Sequence, residues 1–173
     1  AIEELQKRAL IRFVGEETQK QLNMENIIVK SLPHINPDAN PKYLDNDWVM
    51  NFFDKCKIIS DEEMQKLWAK ILAGEANSPG QYSKRTVNLV SEMSKNDATL
   101  FSNLCSFVWN IRLTTEPLIL DIENEIYSKN GMTWDVLIHL ENIGLITFSG
   151  NTDKDEGYLY VGLPQKTTIS YFT

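Results

Sequence analysis

The stretch GEANSPGQYSKRT, Gly74 to Thr86, is where residue types and spacing in this chain could do chemistry. Pro79-Gly80 marks a turn, and the turn delivers Ser83, Lys84 and Arg85 to the start of a helix. The first N–H groups of a helix have no partner inside it, and the dipole places partial positive charge there, so an anion is favoured. Two cationic side chains beside those N–H groups make Ser83, Lys84 and Arg85 the candidate anion-binding residues, for phosphate, sulfate or a nucleotide tail. A plainer reading fits the same letters. Ser83 caps the helix, and Lys84 and Arg85 are solvated or pair with Glu75 or another acid.

The remaining reactive residue types form no pattern. His34 sits in a Pro-rich loop and His139 on a helix, with no motif around either. Cys56 and Cys105 stand among apolar residues at helical spacing, as small core hydrophobes do. No phosphate-binding Gly loop, paired-His zinc motif or Gly-x-Ser-x-Gly elbow occurs. The loop NTDKDEG, Asn151 to Gly157, begins like a calcium loop, but Glu156 stands where that loop needs Gly and Gly162 where it needs a bidentate Glu. The expectation is no catalytic residue, no metal and no cofactor.

The elements that must position these residues are mostly helices. Ile2, Leu5, Ala9 and Phe13 form an apolar stripe, continued by Leu22, Ile27, Ile28 and Leu32, so residues 2–32 read as one long helix or two in series. Pro33, Pro37 and Pro41 then impose a stiff loop. Asp47 is the expected cap of a short helix with Trp48, Phe52, Phe53 and Cys56 on one face. Ser60 with Glu63 reads as a capping box. The helix it opens carries Met64, Leu67, Trp68, Ile71 and Leu72 at i, i+3, i+4, i+7, i+8, the clearest amphipathic signal in the chain. A helix over roughly 84–93 buries Val87, Leu89, Val90 and Met93. Another, starting at Asn96 or Asp97, turns Leu100, Phe101, Leu104, Cys105 and Val108 inward.

Beyond residue 110 the pattern changes. Ile111–Leu120 could be extended, a short helix occupies 121–130, and Gly131 stops it. Thr133 caps a helix through Ile143, and Leu145–Phe148 and Tyr158–Val161 read as strands around an acidic loop. That order resembles a winged helix. A DNA-reading version would point Arg, Lys, Asn or Gln outward, whereas Asp135, His139, Glu141 and Asn142 face out here.

Charge separates the function classes. The net charge is −7 over 173 residues, which argues against broad contact with nucleic acid or anionic lipid. Residues 1–95 hold 13 Lys and Arg against 14 Asp and Glu, whereas residues 96–173 hold 4 against 10, so the acidity lies in the C-terminal half. No apolar run reaches the ~20 residues that span a bilayer, and two cysteines are too few for a secreted disulfide scaffold. A cytoplasmic protein is expected. The chain opens at Ala1 inside a helical pattern and stops at Thr173 inside a β-like run, so a fragment of a longer protein is expected too.

Three long motifs carry a family resemblance. DNDWVMNFFDKC (Asp45 to Cys56), DEEMQKLWAKILAGEANSPGQYSKRTVNLV (Asp61 to Val90) with DATLFSNLCSFVW (Asp97 to Trp109), and GMTWDVLIHLENIGLI (Gly131 to Ile146) resemble the bacterial domain of unknown function 2806, in order and over most of residues 5–150. Tyr82 stands where that pattern has Phe. The resemblance implies a cytoplasmic bacterial protein, from a mobile or defence-associated gene set, and brings no activity, cofactor or catalytic residue.

The expected architecture is therefore mainly α: a helical bundle over 1–110, then a winged-helix-like α+β unit over 111–173. The expected function is a non-catalytic protein-interaction or scaffold module, with a protein partner or a homo-oligomer formed through the long N-terminal helix. An anion- or nucleotide-sensing part of a defence effector, working through Ser83, Lys84 and Arg85, is the alternative. A winged-helix transcriptional regulator is the second.

Overall fold

The computed structural model describes residues 2–111, 114–119, 122–150 and 159–162. The protein is mainly α, with seven helices among the described residues: α1 (Ile2–Ser31), α2 (Asn46–Cys56), α3 (Glu62–Asn77), α4 (Lys84–Glu92), α5 (Lys95–Cys105), α6 (Glu125–Ser128) and α7 (Trp134–Asn142). Strands β1 (Val108–Ile111), β2 (Thr114–Ile119), β3 (Thr147–Gly150) and β4 (Leu159–Gly162) pair antiparallel in the order β1-β2-β4-β3. The chain divides into two compact units, Ala1–Glu92 and Met93–Thr173. Helix α5, expected with the bundle, thus belongs to the second unit.

In the first unit the long N-terminal pattern is one helix, and its cap-and-stripe logic explains the rest. Asp45, not Asp47, caps α2, accepting from Trp48 N at 2.9 Å. Asp47 instead lies in the first turn, where the dipole favours an acid. Likewise Asp61 rather than Ser60 caps α3, its carboxylate accepting from both Glu63 N and Met64 N at 3.0 Å. One aspartate oxygen satisfies two of the free N–H groups at that end. The expected core face of α3 is buried: Trp68 is fully covered, and Met64, Ile71 and Leu72 nearly so, while Leu67 is half-buried.

Aromatic rings lock α2 onto α3. Phe52 stacks on Trp48 (centroids 5.1 Å, 17°) and meets Trp68 edge-on (5.1 Å, 64°). Such pairs contribute about 0.5–1.5 kcal/mol each beyond burial. The indole N–H groups of Trp48 and Trp68 are buried without a hydrogen-bond partner. Apolar packing, not polar pairing, therefore fixes both rings. Ile27 of α1, Cys56, Ala69, Tyr82 and Val87 complete this core.

Buried polar side chains tie the connecting loops to the helices. Asn23 on α1 donates to Lys57 O (2.9 Å), and Gln65 on α3 donates to Ile59 O (2.9 Å) and accepts from Lys30 Nζ (3.1 Å). At the far end of α3, Asn77 donates to His34 O and accepts from Asn36 N, at 2.9 and 2.8 Å, and so anchors the Pro-rich loop.

In the second unit Ser94 caps α5 in a reciprocal box with Asp97, so the helix starts earlier than Asn96 or Asp97 would set it. The helix expected over 121–130 is only Glu125–Ser128, capped by Asn124. Gly131 and Gly144 take positive φ, 74° and 79°, and end their helices as expected. Leu104, Met132, Leu137, Leu140, Leu145 and Ile146 form the buried layer. Hairpin β1–β2 fills the segment read as ambiguous, and β2 pairs with β4 at Leu118–Ile119, just past Pro117, which has no N–H to give. The acidic wing expected at Asn151–Gly157, and with it the calcium-like loop, lies outside the described residues.

The α2–α3 packing yields a direct expectation. Trp68→Ala should destabilise the protein by about 3–5 kcal/mol, through lost burial plus the cavity left behind. Chemical denaturation followed by far-UV circular dichroism checks it, and an unchanged midpoint would contradict the placement of Trp68 at the centre of the core.

Candidate functional site

The turn that should present Ser83, Lys84 and Arg85 is built around a carboxylate of the protein itself. Glu75, in the last turns of α3, is 1% exposed. Its Oε1 accepts from Gly80 N at 2.6 Å and its Oε2 from Tyr82 N at 2.8 Å. The loop thus wraps its N–H groups around an internal anion. Two glycines make this possible. Gly80 has φ 88°, a left-handed conformation that costs glycine little. At Gly74 an added Cβ would come within 2.7 Å of the Tyr82 ring, so the ring can lie on the helix only because no side chain is there.

Beyond the turn the three candidate residues separate. Ser83 caps α4: its Oγ accepts from Thr86 N at 3.1 Å and lies 3.1 Å from Thr86 Oγ1, while its carbonyl accepts from Val87 N. Lys84 Nζ reaches Asp47 Oδ2 at 3.4 Å, an exposed ion pair between α4 and α2. Arg85 is exposed. The structure brings these residues to one helix start, as the sequence indicated, and assigns the hydroxyl and the lysine contacts within the fold.

The other reactive groups also take structural positions. Cys56 is fully buried, and burial pushes its thiol up to about 12; Cys105 is half-buried and pushed up to about 11. Both stay protonated near neutral pH, where a nucleophile or a metal ligand must be a thiolate. His34 offers its carbonyl to Asn77, and its ring is exposed. His139 meets a residue that the sequence reading did not connect with it. Its Nε2 lies 2.6 Å from Asp97 Oδ1, across 42 positions. The hydrogen bond from His139 is the main reason the Asp97 carboxyl is held below the ordinary aspartate range, and bonds from Ser94 add to it against the cost of burial. Ser94 N donates to Asp97 Oδ2 (2.8 Å) and Ser94 Oγ accepts from Asp97 N (3.1 Å). The pair thus joins α5 to α7. Among the described residues no group of three His, Cys, Asp or Glu side chains is placed to hold a metal, and no helix is long and apolar enough to cross a membrane.

A larger feature lies on α1. Only Asn23, Ile27 and Ser31 of its 30 residues are buried. Ile2, Leu5, Leu10, Ile11, Phe13 and Val14 are 54–73% exposed. Together they present on the order of 600 Å² of apolar surface, at the upper end of the largest patch found on a typical monomer.

Replacing Glu75 separates the internal anion from an external one. In Glu75→Gln the amide NH2 must face one of the two loop N–H groups, so a buried donor loses its acceptor. Loss of about 1–3 kcal/mol is expected, against a near-zero change for exposed Arg85→Ala. Thermal melts of the two variants beside the parent check this; an unperturbed Glu75→Gln protein would contradict the role given to the carboxylate.

The sequence profile of one family, described as Protein of unknown function (DUF2806), matches residues 7–152. That range takes in α2 to α7 and the turn held by Glu75. No curated protein matches the chain, and no solved structure does. Because the match covers most of its length, the chain belongs to the DUF2806 family.

Proposed function

We propose that this chain is a cytoplasmic, non-catalytic protein-interaction module whose contact surface is the N-terminal part of α1. One observation carries the reading: six large apolar side chains between Ile2 and Val14 stand more than half exposed on a single helix. Such a patch on a water-soluble surface raises the free energy of the isolated chain until a partner covers it. The first twenty residues of a helix of this composition are also only marginally stable without packing. A partner would therefore supply both burial and helix stability.

The C-terminal unit is read as winged-helix-like, from two short helices followed by two paired strands, and as structural rather than DNA-reading. Helix α7, Trp134–Asn142, contains no Lys or Arg, and its outward His139 is engaged by Asp97. The anion-sensing alternative at Ser83, Lys84 and Arg85 has less to support it than the contact surface. The turn N–H groups of Gly80 and Tyr82 already bond to Glu75, and Lys84 faces Asp47.

A photo-crosslinking residue placed at Leu10, with a control at exposed Glu62 on α3, tests the contact surface in the cell that makes the protein. The expected result is a discrete covalent protein adduct from position 10 and none from position 62. Equal, diffuse labelling from both positions would overturn the reading.

A further inference from the structure

We infer that the occupant of the α1 surface is a second copy of this chain, packed antiparallel on α1 about a two-fold axis near residues 7 and 8. The inference rests on reading α1 as the contact surface. Three features of the helix lead to it.

The first is self-complementary spacing. A two-fold interface must set residue i against j and j against i. In an antiparallel pair centred between residues 7 and 8, Ile2 falls opposite Phe13 and Leu5 opposite Leu10. At 100° per residue these four side chains lie within one arc of about 140°, so each large apolar group meets another. Ala9, small and in the middle of the arc, lets the helices approach.

The second is charge. Glu3 and Glu4 occupy the N-terminal end, while Arg8 and Arg12 follow further along. Antiparallel packing brings the acidic end of one helix toward the basic stretch of the other, and the two helix dipoles oppose. A parallel pair would set the acidic ends side by side.

The third is area. About 600 Å² on each copy gives about 1,200 Å² in total, above the ~1,000 Å² that a specific interface needs and at the low end of the standard class. An exchanging dimer of micromolar rather than nanomolar affinity is the matching expectation.

Sedimentation velocity over a range from about 1 to 500 µM, with cysteine pairing for orientation, tests the proposal on the full chain. The parent should shift from monomer to dimer as concentration rises, and Leu10→Asp should remain monomeric at least tenfold beyond the parent's midpoint. Leu10 is 63% exposed, so this change leaves the core intact, which circular dichroism confirms. Under mild oxidation, Ile2→Cys mixed with Phe13→Cys should yield a disulfide-linked pair. Ile2→Cys alone should yield little, and the parent, whose own thiols are covered, none. Efficient linkage of Ile2→Cys to itself would overturn the antiparallel arrangement. A parent that stays monomeric throughout would overturn the second copy as occupant. In that case an adduct to a different protein from the position-10 crosslinker would still support the contact surface, whereas no adduct would remove both readings.

Discussion

A carboxylate buried to 1% exposure sets the terms for the N-terminal unit. Taking a carboxylate out of water costs several kcal/mol unless hydrogen bonds replace the lost solvation. Glu75 recovers them from Gly80 N and Tyr82 N, five and seven residues on, so the end of α3 and the following turn form only together. That closure lays the Tyr82 ring on Gly74, puts Ser83 at the start of α4, and so aims Val87 into the core. With α4 in place, α2 is enclosed, and Phe52 can hold Trp48 and Trp68 on either side. The turn that looks most like a ligand site is thus a brace.

The same fold leaves α1 in two parts with different physics. Its C-terminal third is a member of the core through Ile27, and Asn23 and Lys30 fasten it to the α2–α3 connection and to α3. The preceding part, a rod about 30 Å long at 1.5 Å per residue, carries its apolar residues into solvent. Ion pairs such as Arg12–Glu16 and Lys20–Glu17, both exposed, add only a few tenths of a kcal/mol to it. Burial by a partner is the term large enough to hold such a helix. The placement also separates tasks: a braced four-helix base supports a surface that changes state without disturbing the base.

Where the sequence spoke in periods, it was legible. The α3 stripe from Met64 to Leu72 repeats at helical spacing, and burial follows it. Stops at Gly131 and Gly144 follow from backbone sterics alone. Cap positions shifted by one to three residues because several Ser, Asp and Asn candidates stood side by side, and the choice depends on which oxygen reaches two N–H groups. Glu75 was invisible as a brace, because a buried acid satisfied by backbone N–H has no periodic signature. Asp97 and His139 were invisible as a pair because 42 residues separate them. For α1 the letters showed an apolar stripe, which means that something must cover it. A stripe does not say whether the cover is the protein's own core, and here most of it is not.

The central claim is that the free part of α1 is a surface completed by a second copy. Hydrogen–deuterium exchange followed by mass spectrometry, at protein concentrations below and above dimerisation, tests it without any substitution. The account predicts that amides of residues 2–20 exchange more slowly as concentration rises, while those of α3, already enclosed, keep one rate at every concentration. Fast exchange over residues 2–20 that does not change with concentration would contradict it.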